Sequence, residues 1–357
     1  MFSVKLIQSG LNDLKRITRA DYCLIGSDQN IIADTFSDFE ISQTVLDFFD
    51  NEAMSQDVKG FNYLKITDRD QEKYVLVTYA ASGDGYMLSR IAASEISHIM
   101  QVDTEKEDKD QFYKDIFAGQ ILYNDILLRA KKLRLNTETG RLVFIMNVDE
   151  DYADITREML VNIFSENRED YVTISDGRII LVKGIDTDEY QEYAKEMAEQ
   201  ILSMINTELM VSATVAYGNV SRGLRELYDS YRQAIVTMEI NNIFFEGRSI
   251  SYYGYLGIGR IIYGLTDEMC KMFLDEVYGE KKEKCPDKAE MDIANSFFEN
   301  NLSIADTSRE LGVPRSTLVY KLDRIQKKCG LNIRCFDDAI TFKVAMMVLK
   351  LFETKKQ

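Results

Sequence analysis

Apolar positions along this chain switch between a helical period and a strand period, and the switches outline its elements. Leu11, Leu14 and Ile17 predict a helix over 5–18. The stretch 20–35 has two apolar arms around Ser27-Asp28-Gln29-Asn30, the pattern of a β-hairpin. Val45, Leu46, Phe48 and Phe49 predict a helix over 41–54. FNYLKIT and KYVLVTYA predict two strands flanking a charged turn at 68–72, and 86–101 predicts a closing helix. Residues 1–101 therefore form a small α+β domain. A ligand between its sheet and helix would meet Tyr22, Phe48, Phe49, Phe61, Tyr74 and Tyr79, although aromatics so spaced mostly serve as plain core.

The charged run VDTEKEDKD at 102–110 predicts a linker or exposed helical turn. A helical pair broken at Gly119 follows, with Leu122, Ile126, Leu127 and Ala130 as its packing face, so that 102–139 is a connector. Residues 140–246 alternate regularly. RLVFIMNV is a continuous apolar run, as in a strand buried on both faces. Ile155, Met159, Leu160, Ile163 and Phe164 mark a helix. YVTIS and RIILVKG make a hairpin across Asp176-Gly177, a dipeptide that accepts positive φ. A helix over 186–207, a strand MVSATVAY, a helix carrying Leu224, Tyr228, Tyr231, Ile235 and Met238, and a short strand at 243–245 complete the run. This β-α-β-β-α-β-α order is the ferredoxin-like, or cyclase-palm, plan. Residues 247–287 return to helix and end in a charged, Pro-containing linker at 279–288.

The most informative stretch is NLSIADTSRELGVPRSTLVYKLDRI, residues 301–325. Ser303 is placed to cap a short helix. Gly312 sits where that helix stops, and Pro314 suits the first turn of the next. Leu318, Leu322 and Ile325 recur at i, i+4 and i+7 as a core stripe. Arg315, Ser316, Thr317 and Tyr320 lie early on the second helix, followed by Lys321, Arg324, Lys327 and Lys328. Early polar residues that reach base edges, with later cations on phosphates, are the chemistry of a helix-turn-helix recognition helix. An ordinary αα-hairpin with a solvated charged face fits the pattern equally well, so charge has to sharpen the choice.

Residues 288–357 carry 12 Lys+Arg against 9 Asp+Glu, a net +3. The whole chain of 357 residues stands at −16, which leaves −19 on residues 1–287. An acidic body with a basic end suits a protein that meets a polyanion through that end alone. The five cysteines are scattered without CxxC spacing and read as reduced thiols, with Cys329/Cys335 the only pair near enough in sequence to suggest a redox role. The single histidine, His98, cannot build a multi-His metal site. No apolar run approaches the roughly 20 residues a membrane span needs, and the N-terminus lacks a signal peptide's apolar region.

The run TSRELGVPRSTLVYKLDRI resembles the C-terminal helix-turn-helix of PucR/CdaR-type bacterial transcription regulators. Thr307, Leu311, Val313, Arg315, Thr317, Leu318, Tyr320, Leu322, Arg324 and Ile325 fit that family's pattern. Pro314, Ser316 and Lys321 stand where His, Asn and Arg are usual, which bears on operator sequence more than on fold. The ending CGLNIRCFDDAITFKVAMMVLKLF is also similar to the family's. In the middle, Gly218 and Ser230-Tyr231-Arg232-Gln233-Ala234 resemble its GGDEF-like domain, and the N-terminal element order resembles PAS/GAF-like sensory modules. A working diguanylate cyclase would carry Gly-Gly-Asp-Glu-Phe at the central hairpin. Here that hairpin reads Ile174-Ser175-Asp176-Gly177-Arg178-Ile179, and Asp149, Glu150 and Asp151 read as a solvated acidic loop rather than a metal site.

The resulting expectation is an α+β multidomain protein. A PAS/GAF-like domain occupies 1–101, a degenerate GGDEF-like domain 140–246, and an all-α helix-turn-helix domain 288–357. The expected function is sequence-specific DNA-binding transcription regulation in the cytoplasm. The partner is double-stranded DNA and the assembly a homodimer. Control by a small-molecule effector or a partner is expected, with no cofactor, metal, membrane or catalytic residue. A nucleotidyl-cyclase-like signalling enzyme and an interaction scaffold that has lost DNA binding are the alternatives.

Overall fold

The computed structural model describes residues 4–68, 72–81, 83–186, 190–245, 247–279 and 284–355, with the backbone only at 103–106. The chain divides into two compact units: Met1–Asp115 with Lys131–Arg134, and Ile116–Ala130 with Leu135–Gln357.

The first unit begins with α1 (Val4–Thr18), the hairpin β1 (Asp21–Ile25) and β2 (Ile31–Asp34), and α2 (Gln43–Asp50). Then come β3 (Ser55–Val58), β4 (Phe61–Thr67), β5 (Lys73–Tyr79) and the start of α3 (Gly85–Phe117). The five strands form one antiparallel sheet in the order β2-β1-β5-β4-β3. Successive strand residues face opposite sides. Tyr22, Leu24, Tyr74 and Leu76 therefore pack with Ile7 and Leu11 of α1 and Ala92 and Ile96 of α3. Cys23, Ile25, Tyr63, Val75 and Val77 pack with Val45 and Phe48 of α2.

This alternation corrects the aromatic lining expected from sequence. Tyr22 and Tyr74 lie in the α1/α3 core, Phe48, Phe49 and Phe61 in the α2 core, and Tyr79 is exposed, so the six do not line one chamber. Lys65 is buried on the α2 side, its Nζ 4.9 Å from the Phe48 ring centre and donating to the Phe49 and Asn51 carbonyls at the end of α2. Two boundaries also move. The helix expected over 41–54 stops at Asp50, because Ser55–Val58 is a polar edge strand with no apolar alternation to announce it. Of the linker or exposed helical turn expected at 102–110, the structure has helical backbone, continuous through α3 to Phe117, since no Gly or Pro interrupts it. Residues 69–71 of the expected charged turn lie outside the described residues.

The second unit is built on another five-stranded sheet. After α4 (Tyr123–Lys132) come β6 (Gly140–Asn147), α5 (Ala153–Phe164), β7 (Tyr171–Ser175), β8 (Arg178–Ile185), α6 (Tyr190–Glu208), β9 (Thr214–Tyr217), α7 (Leu227–Phe244) and β10 (Ile250–Tyr252). The sheet order is β10-β9-β6-β8-β7. The four strands β9-β6-β8-β7 run antiparallel with β6 and β8 as neighbours, which is the ferredoxin-like plan, and β10 adds a parallel edge. Asp176 (φ 50) and Gly177 (φ 71) both lie in the left-handed region, and Ser175 pairs with Arg178, as a two-residue hairpin of this sequence requires. Arg141 is fully buried at the start of β6, donating to the Asn136 and Thr139 carbonyls and pairing with Glu169.

Two expectations about the end of this domain change. Residues 243–244 finish α7 and are not a strand; β10 takes the sheet edge instead. Asn241 fixes that return, its amide donating to the Arg248 carbonyl (3.0 Å) and accepting from the Ser251 hydroxyl (2.6 Å). The buried residues of α7 are Leu227, Ser230, Ala234, Thr237, Met238, Ile240 and Asn241. Small residues face the sheet here because the approach is close: a Cβ on Gly218 would lie 2.3 Å from the Ser230 carbonyl oxygen. Tyr231 is displaced to the flank, stacked on Phe117 at 4.4 Å.

The chain then forms α8 (Ile258–Tyr263), α9 (Asp267–Tyr278), α10 (Lys288–Glu299), α11 (Ile304–Glu310), α12 (Arg315–Cys329) and α13 (Phe336–Thr354). The linker expected at 279–288 falls partly on 280–283, outside the described residues. The core crosses that boundary. Ile262 of α8 and Cys270, Leu274 and Tyr278 of α9 belong to one apolar cluster with Phe297, Leu318, Leu322, Phe342, Ala345 and Leu349.

Candidate nucleic-acid interface

Local sequence builds the C-terminal module step by step. Asp287 and Glu290 form a reciprocal capping box at the start of α10, each side chain accepting the other's backbone N–H at 2.9 Å. Ser303 caps α11, accepting from the Asp306 N–H and donating to the Asp306 carboxylate at 2.6 Å. The Asp306 carboxyl is held below its ordinary value, first by that hydroxyl and further by Arg309 and Arg315. Gly312 (φ 62) turns the chain, and the Val313 N–H bonds back to the Ser308 carbonyl. Pro314 is the N-cap of α12, one position earlier than its sequence placement, and Gly330 (φ 83) ends the helix in the left-handed conformation.

Leu318, Leu322, Ile325 and Cys329 are the buried stripe of α12. Arg315, Ser316, Tyr320, Arg324 and Lys327 are exposed, Tyr320 at 69%, while Thr317, Lys321 and Lys328 are half-buried. At 100° per residue, Ser316, Tyr320 and Lys327 fall on one line opposite the stripe. The structure thus brings together three of the eight residues singled out in sequence, while Arg315, exposed at the helix start, lies about 100° or more around the helix from them.

Arg324 and Lys328 point elsewhere. Arg324 Nε lies 3.1 Å and Lys328 Nζ 2.9 Å from the two carboxylate oxygens of Glu290, a residue only 5% exposed, and Arg324 Nη2 lies 3.5 Å from Asp287. Both cations, read from sequence as phosphate ligands, are engaged by α10. Asp287 and Glu290 went unnoticed in sequence although their D-x-x-E spacing is a capping signature. Arg334 is similarly held by Asp323 (2.7 Å) and Gln326 (3.0 Å). Lys343 is set over the Phe298 ring at 5.5 Å and donates to Asn295, and burial pushes its ammonium below the ordinary value.

In the middle domain, Arg178 stands beside the Asp176-Gly177 turn, its Nη2 3.9 Å from Glu239 of α7. Glu239 also accepts from the Tyr263 hydroxyl of α8, and burial followed by that bond raises Tyr263 to about 12. Asp149 is spent locally, accepting from the Asp151 N–H in a 3-10 turn. Cys329 is buried and Cys335 exposed, both free. Among the described residues, no three His, Cys, Asp or Glu side chains converge as metal ligands.

Two family models match. The GGDEF-like domain matches residues 119–240, and the PucR C-terminal helix-turn-helix domain matches residues 291–348. Together the two matches support a PucR-type regulator. It is 18% identical over 175 residues to the purine catabolism regulatory protein of Bacillus subtilis (strain 168), covering 48% of this chain and 33% of that protein. The chain therefore spans about a third of that relative's length. A solved regulator of polyketide synthase expression from Bifidobacterium adolescentis is 13% identical, covering 69% of this chain and 98% of that one with a TM-score of 0.32. PelD 158-CT from Pseudomonas aeruginosa PAO1 is also 13% identical, covering 59% and 82% with a TM-score of 0.21. Scores this low do not establish a shared fold.

Proposed function

We propose that this chain is a transcription regulator that binds double-stranded DNA through α12, with Ser316, Tyr320 and Arg315 toward the major groove and Lys327, Lys321 and Thr317 toward the backbone. The observation that carries this reading is the face of α12 itself: a polar line of exposed side chains stands opposite a fully buried apolar stripe. Tyr320, 69% exposed, stands on that face with its ring and hydroxyl open to a partner. The net +3 of residues 288–357 against −19 before them favours engagement through this end. A homodimer multiplies the few base pairs one helix reads. The N-terminal sheet domain serves as a PAS/GAF-like sensory input in this reading, and a small-molecule effector biases the two-state output. Among the described residues no helix is long and apolar enough to cross a membrane, and action on DNA in the cytoplasm is part of the proposal. The direct test is retention of genomic fragments by the purified full chain: enrichment of discrete sites supports the reading, and uniform retention contradicts it.

The GGDEF-like domain is proposed to be an input or contact domain rather than a cyclase. The cation beside its hairpin turn is committed to Glu239, where cyclase chemistry needs a second acid near a metal-bound triphosphate. Incubation with GTP or ATP and Mg²⁺ is expected to give no cyclic dinucleotide or cyclic mononucleotide. Appearance of either product overturns this assignment.

A further inference from the structure

Glu290 holds an unusual position for a carboxylate. It is 5% exposed, yet it serves two helices at once. One oxygen accepts from the Asp287 N–H and from Lys328 Nζ, both at 2.9 Å, and the other lies 3.1 Å from Arg324 Nε as an ion pair without hydrogen-bond geometry. Arg324 and Lys328 are four residues apart, so they share one flank of α12, roughly 80° around the helix from the line of Ser316, Tyr320 and Lys327. A carboxylate this buried demands pairing, because an uncompensated buried charge is costly. The apolar stripe sets which side of α12 faces the core. The Glu290 grip adds a lateral constraint on its roll.

We infer that Glu290 is the positioning residue of the recognition helix, and that Arg324 and Lys328 set its angle instead of neutralising phosphates. This rests on the DNA-binding reading above. Two consequences follow. Phosphate contacts from α12 fall to Lys321 and Lys327, with Arg315 at its start. The intramolecular pairing also keeps two cations out of the non-specific electrostatic pool, which sharpens the difference between a true site and random duplex.

The test measures binding of the full chain to a fragment retained from the genome and to a scrambled duplex, across a salt series. Each lost phosphate contact makes the slope of log K against log[salt] shallower by about one. Lys327→Gln and Lys321→Gln are expected to show that loss. Arg324→Gln and Lys328→Gln are expected to keep the parental slope. Glu290→Gln keeps an oxygen for the Asp287 cap but releases both cations. Its slope is expected to steepen, and its preference for the retained site over the scrambled one to fall about tenfold. A purely structural role lowers the melting midpoint of Glu290→Gln while leaving that preference and the slope unchanged, and this result overturns the inference. So does a slope shallower by about one in Arg324→Gln or Lys328→Gln. If Glu290→Gln does not fold, the two Gln variants on α12, which leave the carboxylate and its cap intact, decide the matter. A parent chain that binds no duplex overturns the DNA reading itself, and is seen before any variant is compared.

Discussion

The triple variant Arg315→Ala, Ser316→Ala, Tyr320→Ala is expected to lose site-specific DNA binding by about a hundredfold or more while remaining folded. A side chain that reads a base edge contributes about 1–3 kcal/mol of discrimination, and three such losses, about 3 kcal/mol or more together, exceed two decades in affinity. Three features protect the fold. All three side chains are exposed, none contributes to the buried stripe, and the caps at Ser303 and Gly330 are untouched. Surface changes of this kind shift stability by about half a kcal/mol or less each. Binding to the retained fragment by fluorescence anisotropy, together with a thermal melt, separates the two effects. Affinity within threefold of the parent would mean that this face of α12 is not the reader.

Phe342→Ala tests the other half of the account, the continuity between the helix-turn-helix and the helices that precede it. Phe342 is fully buried in the cluster that also holds Cys270, Leu274 and Tyr278 of α9 and Leu318 and Leu322 of α12. Truncating a buried Phe costs about 3–5 kcal/mol, through lost transfer energy and the cavity left behind. That is a large share of the roughly 5–15 kcal/mol that holds a domain together. Because the core is shared, hydrogen exchange is expected to accelerate in α9 and α12 together. Acceleration confined to α10–α13, with α9 unchanged, would mean that the connector is a separate cooperative body.

The reader was legible because its signals are local. Gly312, Pro314 and the Leu318/Leu322/Ile325 spacing all lie within one short stretch, and the structure reproduces each within a residue. The palm order was legible for the same reason, since strand and helix periods differ and Asp176-Gly177 marks its hairpin. What stayed hidden was set by partners distant in sequence. Arg324 and Lys328 meet residues 37 and 38 positions away, and nothing in α12 itself distinguishes a cation held by Glu290 from one free for phosphate. The apolar run at 243–245 was ambiguous because three residues suit a strand or a helix end equally. Asn241 settles it through two hydrogen bonds formed only after the chain returns. The edge strand Ser55–Val58 has no apolar face to betray it. The division of the N-terminal aromatics was readable in principle, because Tyr22 and Cys23 must face opposite sides of a strand.

The central claim is that the first turns of α12 enter DNA. Hydrogen exchange of the full chain, with and without a retained genomic duplex at physiological salt, tests it most directly. The account predicts slowed exchange concentrated at 314–321, with the α13 core unchanged. Unaltered exchange at 314–321 under saturating duplex, with protection elsewhere on the chain, would contradict it.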